Sequence, residues 1–182
     1  LPGYEGRLVD PDGRDVGVGE VGELICRGPL IGLGYWNDPA ATAAWFRDGW
    51  AHTGDLMTQD ADGYLTIVGR TKDMIRRGGE NIAAAEVETV LCEHPGVANA
   101  ACIAVPDEVR GEEVKALIQP VGEPPDPADL LEHCRARLAA FKTPRYLAFM
   151  TEFPLTPSQR IEKHKLSRDV AGTFDAQVGA WL

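Results

Sequence analysis

The pattern of the chain changes near Lys72, and this change constrains the fold more than any other feature. Before it, apolar residues occur in short runs bounded by turn-forming residues, a pattern that predicts strands. The predicted strands span residues 6–10, 22–28 and 64–70. The first 70 residues are therefore expected to form a small barrel or sheet. One helix is predicted within it, from Asp38-Pro39 to about Phe46, because Asp can cap a helix and Pro fits its first turn.

After Lys72, helices and strands alternate. Apolar residues at helical spacing predict one helix over residues 84–93 and a second over residues 128–140. The apolar stripe of the second helix consists of Leu130, Leu131, Cys134 and Leu138. Strands are predicted at residues 98–105, 113–121 and 145–150. These segments predict a compact α+β unit with a short sheet and flanking helices, followed by a loosely attached tail at residues 167–182.

Composition narrows the class of protein. The 182 residues carry a net charge of -10, with 44% apolar and 25% charged residues, as in a soluble globular protein. A nucleic-acid-binding protein needs basic residues to neutralise phosphates, so that class is disfavoured. No apolar run reaches the ~20 residues needed to cross a bilayer, and the first residues do not resemble a signal peptide. We therefore expect a cytoplasmic protein without a membrane span.

The four cysteines suggest neither a disulfide framework nor a metal site. Cys26, Cys92, Cys102 and Cys134 are widely spaced, with no CxxC pair and no histidine at metal-ligand spacing. They are interpreted as small buried side chains in a reducing compartment, and no metal site is predicted.

The first segment that could carry chemistry is Thr53-Gly54-Asp55, interpreted as a short loop ahead of a strand. A loop carboxylate flanked by glycine can approach a ligand closely and accept two hydrogen bonds from neighbouring hydroxyls, such as those of a ribose. The alternative is that Asp55 only caps a turn.

The second segment runs from residue 68 to residue 88 and contains Arg70, a polar joint at Lys72 and two adjacent glycines, Gly78 and Gly79. Paired glycines remove side chains where something must pass close to the backbone. The alternative is a Gly-Gly hairpin between two strands, with Arg70 an ordinary surface cation.

The third segment, residues 153–166, is an extended loop with two prolines that concentrates positive charge in an acidic chain. Its basic residues, with one that follows, are Arg160, Lys163, His164, Lys165 and Arg168. Such a loop could deliver a cation to a phosphate. A solvated basic segment is the alternative.

In order and spacing these segments resemble the ANL superfamily of adenylate-forming enzymes, which includes acyl-CoA synthetases, peptide-synthetase adenylation domains and luciferases. The resemblance is carried by TGD, GRTKD, GGENI before an AEVE helix, and TPSQRI, together with residues 19–50, and it covers residues 1 to about 168. It implies that residues 1–71 are the last, β-rich part of an AMP-binding N-terminal domain and residues 72–73 a hinge at Lys72. Residues 74–166 would be the AMP-binding enzyme C-terminal domain, and residues 167–182 its tail.

The resemblance also implies roles for single residues. Asp55 would bind the ribose hydroxyls of ATP or of the acyl-adenylate, and Arg70 would support the same region. Gly78 and Gly79 would line the passage for the pantetheine arm of CoA, with Asn81 at its mouth.

The last motif departs from the family pattern. The family carries a lysine after a glycine there, and this lysine contacts the α-phosphate and the carboxylate during adenylation. Gln159-Arg160 stands in their place. Arg160 is therefore expected to supply the charge, with Lys163 as a substitute one helical turn away, although arginine is bulkier and planar and does not replace lysine neutrally.

The implied function is that of an AMP-forming acyl-CoA synthetase, an acid-thiol ligase. A carboxylic acid reacts with Mg-ATP to give acyl-AMP and pyrophosphate, and the CoA thiol then displaces AMP. The implied ligands are ATP or AMP, CoA and Mg, the last held mainly by an upstream part. CoA is favoured over a carrier-protein acceptor, whereas the acyl group and the oligomeric state, including a homodimer, stay open.

The family's phosphate loop and acyl pocket lie upstream of the hinge and do not occur in these residues. The chain alone is therefore expected to be inactive, as a C-terminal fragment of the ligase. The alternative hypothesis is a stand-alone, non-catalytic module that binds a nucleotide, CoA or a partner chain.

Overall fold

The computed structural model describes residues 2–182, and the chain divides into two compact units between Lys72 and Asp73. The predicted class is confirmed, because the described residues form an α+β structure in which strands dominate and three short α-helices occur. Each unit has its own sheet.

The first unit is built on a curled, antiparallel five-stranded sheet. Its strands are β1 (Glu5–Val9), β2 (Gly22–Arg27), β3 (Phe46–Arg47), β4 (Trp50–Gln59) and β5 (Leu65–Arg70). The order is β1-β2-β4-β3, and β5 also pairs with β4. Strand β4 is therefore the centre of this unit, and it carries the TGD segment.

Helix α1 (Pro39–Trp45) begins where the sequence predicts it. Asp38 caps the helix, since its Oδ1 accepts a hydrogen bond from the Ala41 N–H at 2.8 Å. Pro39 occupies the first turn, where its missing N–H would have no partner. The helix ends one residue before the predicted Phe46.

The second unit has a seven-stranded sheet and two α-helices. Its strands are β6 (Met74–Arg77), β7 (Glu80–Ala83), β8 (Val97–Asp107), β9 (Gly111–Pro120), β10 (Tyr146–Phe149), β11 (Phe174–Asp175) and β12 (Ala180–Trp181). The order is β12-β11-β10-β9-β6-β7, and β8 also pairs with β9. Strands β9 and β10 are parallel, and the other pairs are antiparallel.

The helices of this unit are α2 (Ala84–Cys92) and α3 (Pro127–Arg135), each nine residues long. The Asp126 side chain caps α3 by accepting a hydrogen bond from the Ala128 N–H at 2.9 Å. Helix α2 has no side-chain cap, but Glu86 in its first turn favours the helix dipole. Within residues 2–182 no helix has both the length and the apolar character that a membrane crossing requires.

Alternation along β8 and β9 builds an apolar layer on each face of the sheet. Cys102 and Ala116 belong to the main core, which also contains the buried side chains of α2 and α3. Their neighbours Ala101 and Leu117 belong to a second cluster with Phe153, Leu166 and other residues. The helices therefore cover one face, and the segment that carries the third motif covers the other.

Helix α3 is shorter than predicted. It ends at Arg135 rather than at Ala140, and a short 3₁₀ helix follows at Ala140–Lys142. The Leu138 N–H still donates to the Cys134 oxygen at 2.8 Å, so one further turn carries Leu138 into the core. The apolar spacing thus predicted the buried face but not the end of the helix, because a turn continues the same spacing.

The prediction of a loosely attached tail at residues 167–182 is wrong. Strand β11 pairs with β10 and β12 pairs with β11, so this segment extends the sheet. Thr173 and Asp175 are buried, and Asp175 Oδ2 lies 3.1 Å from Arg145 Nη2. Phe174 and Ala176 also pack against the main core. The polar contacts and backbone pairing that complete the attachment produce no apolar periodicity in the sequence.

Candidate functional site

Asp55 and Arg70 lie opposite each other on neighbouring strands of the first unit. They are directly paired in β4 and β5, and Arg70 Nε lies 2.9 Å from Asp55 Oδ1. Their side chains are 26% and 48% exposed, respectively, so the ion pair is open to solvent. The structure therefore brings together the two residues that the sequence associates with a ribose.

The TGD segment lies inside β4 and not in a loop ahead of a strand, which corrects the sequence interpretation. Gly54 has a φ of +71°, a conformation that other residues rarely adopt. The Thr53 hydroxyl donates to the Leu24 oxygen at 2.7 Å and accepts from the Asp55 N–H at 3.1 Å. The strand is irregular here, and this irregularity explains its loop-like sequence.

Glu23 on β2 fixes the same segment and was missed in the sequence. Its Oε1 accepts a hydrogen bond from the Gly54 N–H at 3.0 Å, and its Oε2 lies 2.9 Å from His52 Nδ1. The contacts join residues 31 and 29 positions apart, respectively. The available signal was a glutamate within a predicted strand, which does not identify its partners.

The Asp55 carboxylate retains an oxygen for a ligand. Oδ1 faces Arg70, and Oδ2 has no protein partner within residues 2–182. A carboxylate accepts several hydrogen bonds and donates none, whereas a guanidinium only donates. Within this partly exposed pair, the Asp55 carboxylate can therefore accept hydrogen bonds from two neighbouring hydroxyls, and Arg70 can donate to a nearby oxygen. A nucleoside phosphate presents both kinds of group.

Gly78 and Gly79 form the two-residue turn between β6 and β7, in which Arg77 pairs with Glu80. Their φ angles are +59° and +90°, as in the type I′ turns that favour glycine. A Cβ atom at either position would meet no atom within 4 Å. The hairpin alternative thus describes this turn, and the backbone conformation explains the glycines. Asn81 follows the turn with an exposed side chain.

Arg77, immediately before this turn, was also missed in the sequence. Its guanidinium is buried, with Nε 2.6 Å from Glu113 Oε2. Nη1 donates to the Phe141 oxygen at 2.6 Å. Arg77 therefore ties the Gly78-Gly79 turn to β9 and to the segment before β10.

Arg160 lies on the returning side of an exposed turn at residues 156–160. Leu155 and Ile161 form an antiparallel bridge, and the Thr156 N–H donates to the Arg160 oxygen at 2.8 Å. Gln159 has a φ of +61°, which is left-handed. The Arg160 side chain makes no salt bridge or hydrogen bond within residues 2–182, and it is free to meet a ligand.

Lys163 follows in a short 3₁₀ helix, Lys163–Lys165. Its Nζ lies 2.6 Å from Glu88 Oε1 and 3.9 Å from Asp73 Oδ2. The two basic residues proposed for catalysis therefore differ, because Arg160 is unpaired and Lys163 is held by carboxylates. Lys72 lies in the 3₁₀ helix Thr71–Asp73, where the two compact units divide.

The cysteines only partly follow the expectation of buried side chains. Cys102 and Cys134 are buried, Cys26 is intermediate and Cys92 is exposed. Burial raises the pKa of Cys134 to about 11, so this thiol is a poor nucleophile at neutral pH. Within residues 2–182 there is no cluster of three or more His, Cys, Asp or Glu side chains suited to a metal ion.

The sequence of this chain matches a family model and several curated proteins. A family model of the AMP-binding enzyme C-terminal domain matches residues 86–160. A feruloyl-CoA synthase from an Amycolatopsis species is 47% identical over 163 residues, which are 89% of this chain and 33% of that protein. A long-chain-fatty-acid–CoA ligase from Yersinia pestis is 42% identical over 97% of this chain and 32% of its own length. The chain thus spans about one third of these curated relatives.

Solved structures with the same fold include the o-succinylbenzoate CoA synthetase of Bacillus subtilis in complex with the acyl-adenylate intermediate OSB-AMP. It matches with a TM-score of 0.82 and 33% identity, over 91% of this chain and 34% of that one. The amide bond synthetase McbA from Marinactinospora thermotolerans matches with a TM-score of 0.80 and 38% identity, over 91% of this chain and 34% of that one.

Proposed function

We propose that the chain is the C-terminal part of an AMP-forming acyl-CoA synthetase, because a family model of the AMP-binding enzyme C-terminal domain matches residues 86–160. Such an enzyme joins a carboxylic acid to CoA at the expense of ATP, which is converted to AMP and pyrophosphate. The named CoA ligases among the relatives support this assignment. The observation that carries it within the chain is the pairing of Asp55 with Arg70.

In this proposal Asp55 accepts hydrogen bonds from the ribose hydroxyls of ATP and then of the acyl-adenylate. Arg70 holds the carboxylate in place through the 2.9 Å contact and donates to oxygens on the same side of the nucleotide. Glu23 supports both by fixing the backbone at Gly54. The pair thus binds the part of the nucleotide that is common to both half-reactions.

Arg160 supplies positive charge to the α-phosphate during adenylation. Its exposed position and its lack of an acidic partner support this role, because a charge already neutralised would stabilise a phosphate less. Magnesium, when bound with ATP, would neutralise the triphosphate, and residues 2–182 offer no acidic cluster of their own to hold it.

The Gly78-Gly79 turn, with Asn81 beside it, takes part in the thioester half-reaction by letting the pantetheine arm of CoA pass close to the backbone. The open space around both Cα atoms supports this role. Lys72, at the division of the compact units, is the hinge through which the second unit serves both half-reactions.

A chimeric enzyme tests the proposal. The matching third of the Amycolatopsis feruloyl-CoA synthase is replaced by this chain, and pyrophosphate release and thioester formation are measured with ferulate. We expect both activities, and Asp55→Asn should raise the KM for ATP by about 10-fold or more, as loss of a charged hydrogen-bond acceptor does. A folded chimera that supports neither half-reaction would contradict the proposal.

The acceptor is tested separately, because one structural neighbour is an amide bond synthetase. The same chimera is supplied with CoA or with a primary amine once acyl-adenylate has formed. We expect the thioester with CoA. Amide formation in its place would assign the chain to an amine-using relative.

A further inference from the structure

The Lys163 ammonium is held by carboxylates of the protein and is not free to bind a phosphate. Its Nζ lies 2.6 Å from Glu88 Oε1 and 3.9 Å from Asp73 Oδ2. The side chains of Lys163, Glu88 and Asp73 are 20%, 17% and 26% exposed, so the contact is largely shielded from solvent. A phosphate would have to displace two carboxylates to reach this ammonium.

Glu88 is itself held in a fixed position. Its Oε1 also accepts a hydrogen bond from the Cys102 N–H at 2.6 Å, which joins helix α2 to strand β8. Val87 and Leu91 on the same helix are fully buried. A side chain anchored to a packed helix and to strand β8 gives Lys163 a rigid partner.

Lys163 is the charged attachment of the segment that carries Arg160. Within residues 2–182, its contacts with Glu88 and Asp73 are the only salt bridges from residues 155–166 to the rest of the unit. The other anchors are the apolar contacts of Ile161 and Leu166 and the backbone hydrogen bond from the Glu162 N–H to the Pro154 oxygen at 2.8 Å. Arg160 lies three residues before Lys163, so the salt bridge limits where its guanidinium can reach.

We infer that Glu88 is a positioning residue for Arg160, acting through Lys163, and that Lys163 does not contact substrate. The attachment of the loop stands on the contacts alone, whereas its catalytic consequence rests on the proposed function. Asp73, which follows Lys72 in the chain, also contacts the Lys163 ammonium, at 3.9 Å. Lys163 therefore connects the loop that presents Arg160 to the residue that follows the proposed hinge.

Tryptic cleavage of the 182-residue chain tests the attachment. Glu88→Gln keeps an acceptor for the Cys102 N–H but removes the charge that holds Lys163. We expect cleavage after Arg160 to become about 3- to 10-fold faster, because the loop opens more often. The appearance of the new Ile161 amino terminus is followed by mass spectrometry.

Glu86→Gln is the matched control. Glu86 lies on the same helix and pairs with Lys142 at 2.6 Å, but it does not contact the loop. Its cleavage rate after Arg160 should equal that of the wild type. Equal rates in wild type, Glu86→Gln and Glu88→Gln would overturn the inference, whatever the activity.

The catalytic consequence is measured in the ferulate-using chimera, one half-reaction at a time. Glu88→Gln should slow adenylate formation by about 10-fold or more, since a misplaced charge loses its effect steeply with distance. Thioester formation from supplied acyl-adenylate should stay within about twofold, which a general loss of folding would not allow. Lys163→Arg should preserve both rates.

The outcomes separate the two proposals. A wild-type chimera without adenylation would contradict the proposed function, while the proteolysis experiment still decides the attachment. Equal slowing of both half-reactions by Glu88→Gln would overturn the positioning role. A loss of adenylation in Lys163→Arg with an unchanged cleavage rate after Arg160 would instead make Lys163 a substrate contact.

Discussion

Arg77 and Glu113 form a buried salt bridge, with Arg77 Nε 2.6 Å from Glu113 Oε2. The Arg77 side chain is 9% exposed and that of Glu113 is fully buried. The Nε–H is not aligned with the oxygen as in a hydrogen bond, so the contact is an ion pair. Because Arg77 immediately precedes Gly78, this pair fixes the start of the proposed CoA-side turn to the middle of the sheet.

Removal of Arg77 should therefore destabilise the second unit strongly. Arg77→Met leaves the Glu113 carboxylate buried with only Arg110, whose Nη1 lies 3.2 Å away and whose side chain is 44% exposed. We expect the free energy of unfolding to fall by about 3–5 kcal/mol, the cost of an uncompensated buried charge. Urea unfolding followed by circular dichroism measures it.

Arg110→Met is the control for this variant. It removes the exposed partner and leaves the buried pair intact, so the loss should be about 1 kcal/mol or less. Equal destabilisation by the two substitutions would show that the buried ion pair has no special weight.

Asp175 should make the second unit sensitive to acid. Burial by itself would raise the pKa of Asp175, but hydrogen bonds from Arg145 and from the Gln177 N–H outweigh burial and lower this pKa from its ordinary value. The unfolded chain then binds the proton more readily, so the contribution to stability is complete above the unfolded pKa. It is lost as the pH falls through the lower, folded pKa.

Asp175→Asn tests this linkage through the melting temperature between pH 7 and pH 2. The variant should melt below the wild type at neutral pH, and the difference should shrink below about pH 4. Glu123→Gln, in an exposed turn, should follow the wild type at each pH. A difference that stays constant down to pH 2 would contradict the role of the carboxylate charge.

Gln159 should be a strained position in the third motif. Its φ of +61° is left-handed, and a residue with a Cβ pays about 1–2 kcal/mol in that conformation. Gln159→Gly should therefore stabilise the loop by about 0.5–1 kcal/mol, because the gain exceeds the extra chain entropy of glycine. Hydrogen exchange at Arg160 and its neighbours measures the local stability.

Gln177→Gly is the comparison variant. Gln177 is exposed in the same unit but is not among the residues with positive φ, so glycine there should destabilise by about 0.5–1 kcal/mol. Protection that falls by the same amount in both variants would contradict the strain at Gln159.

Local signals in the sequence predicted much of the fold. Asp38-Pro39 marked the start of α1, and the apolar stripe of α3 is buried as expected. Such features depend on residues within one or two turns of each other, and their spacing is visible without a structure. The resemblance to the adenylate-forming enzymes selected Asp55 and Arg70, which the strand register then paired.

Polar contacts between distant segments could not be predicted in the same way. Glu23 reaches Gly54, Arg77 reaches Phe141, and Asp175 holds Arg145. A single charged residue in a strand has no periodicity that identifies its partner. The tail at residues 167–182 was misjudged in part for this reason, since the buried Asp175 and two short strand pairs help to attach it, beside the apolar packing of Phe174 and Ala176.

Lys72 provides the test of the hinge in the ferulate-using chimera. Lys72→Pro fixes φ at this position and also restricts Thr71, so rotation at the joint should be limited. We expect thioester formation to slow by about 10-fold or more while adenylate formation changes little, because in the proposed function the second unit rotates at Lys72 before the thioester step. Single-turnover measurements with ATP and with supplied acyl-adenylate separate the two rates.

Lys72→Ala distinguishes backbone rotation from the lysine side chain. It removes the ammonium but leaves φ free, so both half-reactions should proceed within about twofold of the wild type if the backbone is what matters. A selective loss in Lys72→Pro together with a normal Lys72→Ala therefore assigns the effect to rotation at residue 72. Equal slowing of both half-reactions in Lys72→Pro would reject the hinge. The substitution would then have damaged the enzyme in general and not blocked a rotation that one step requires.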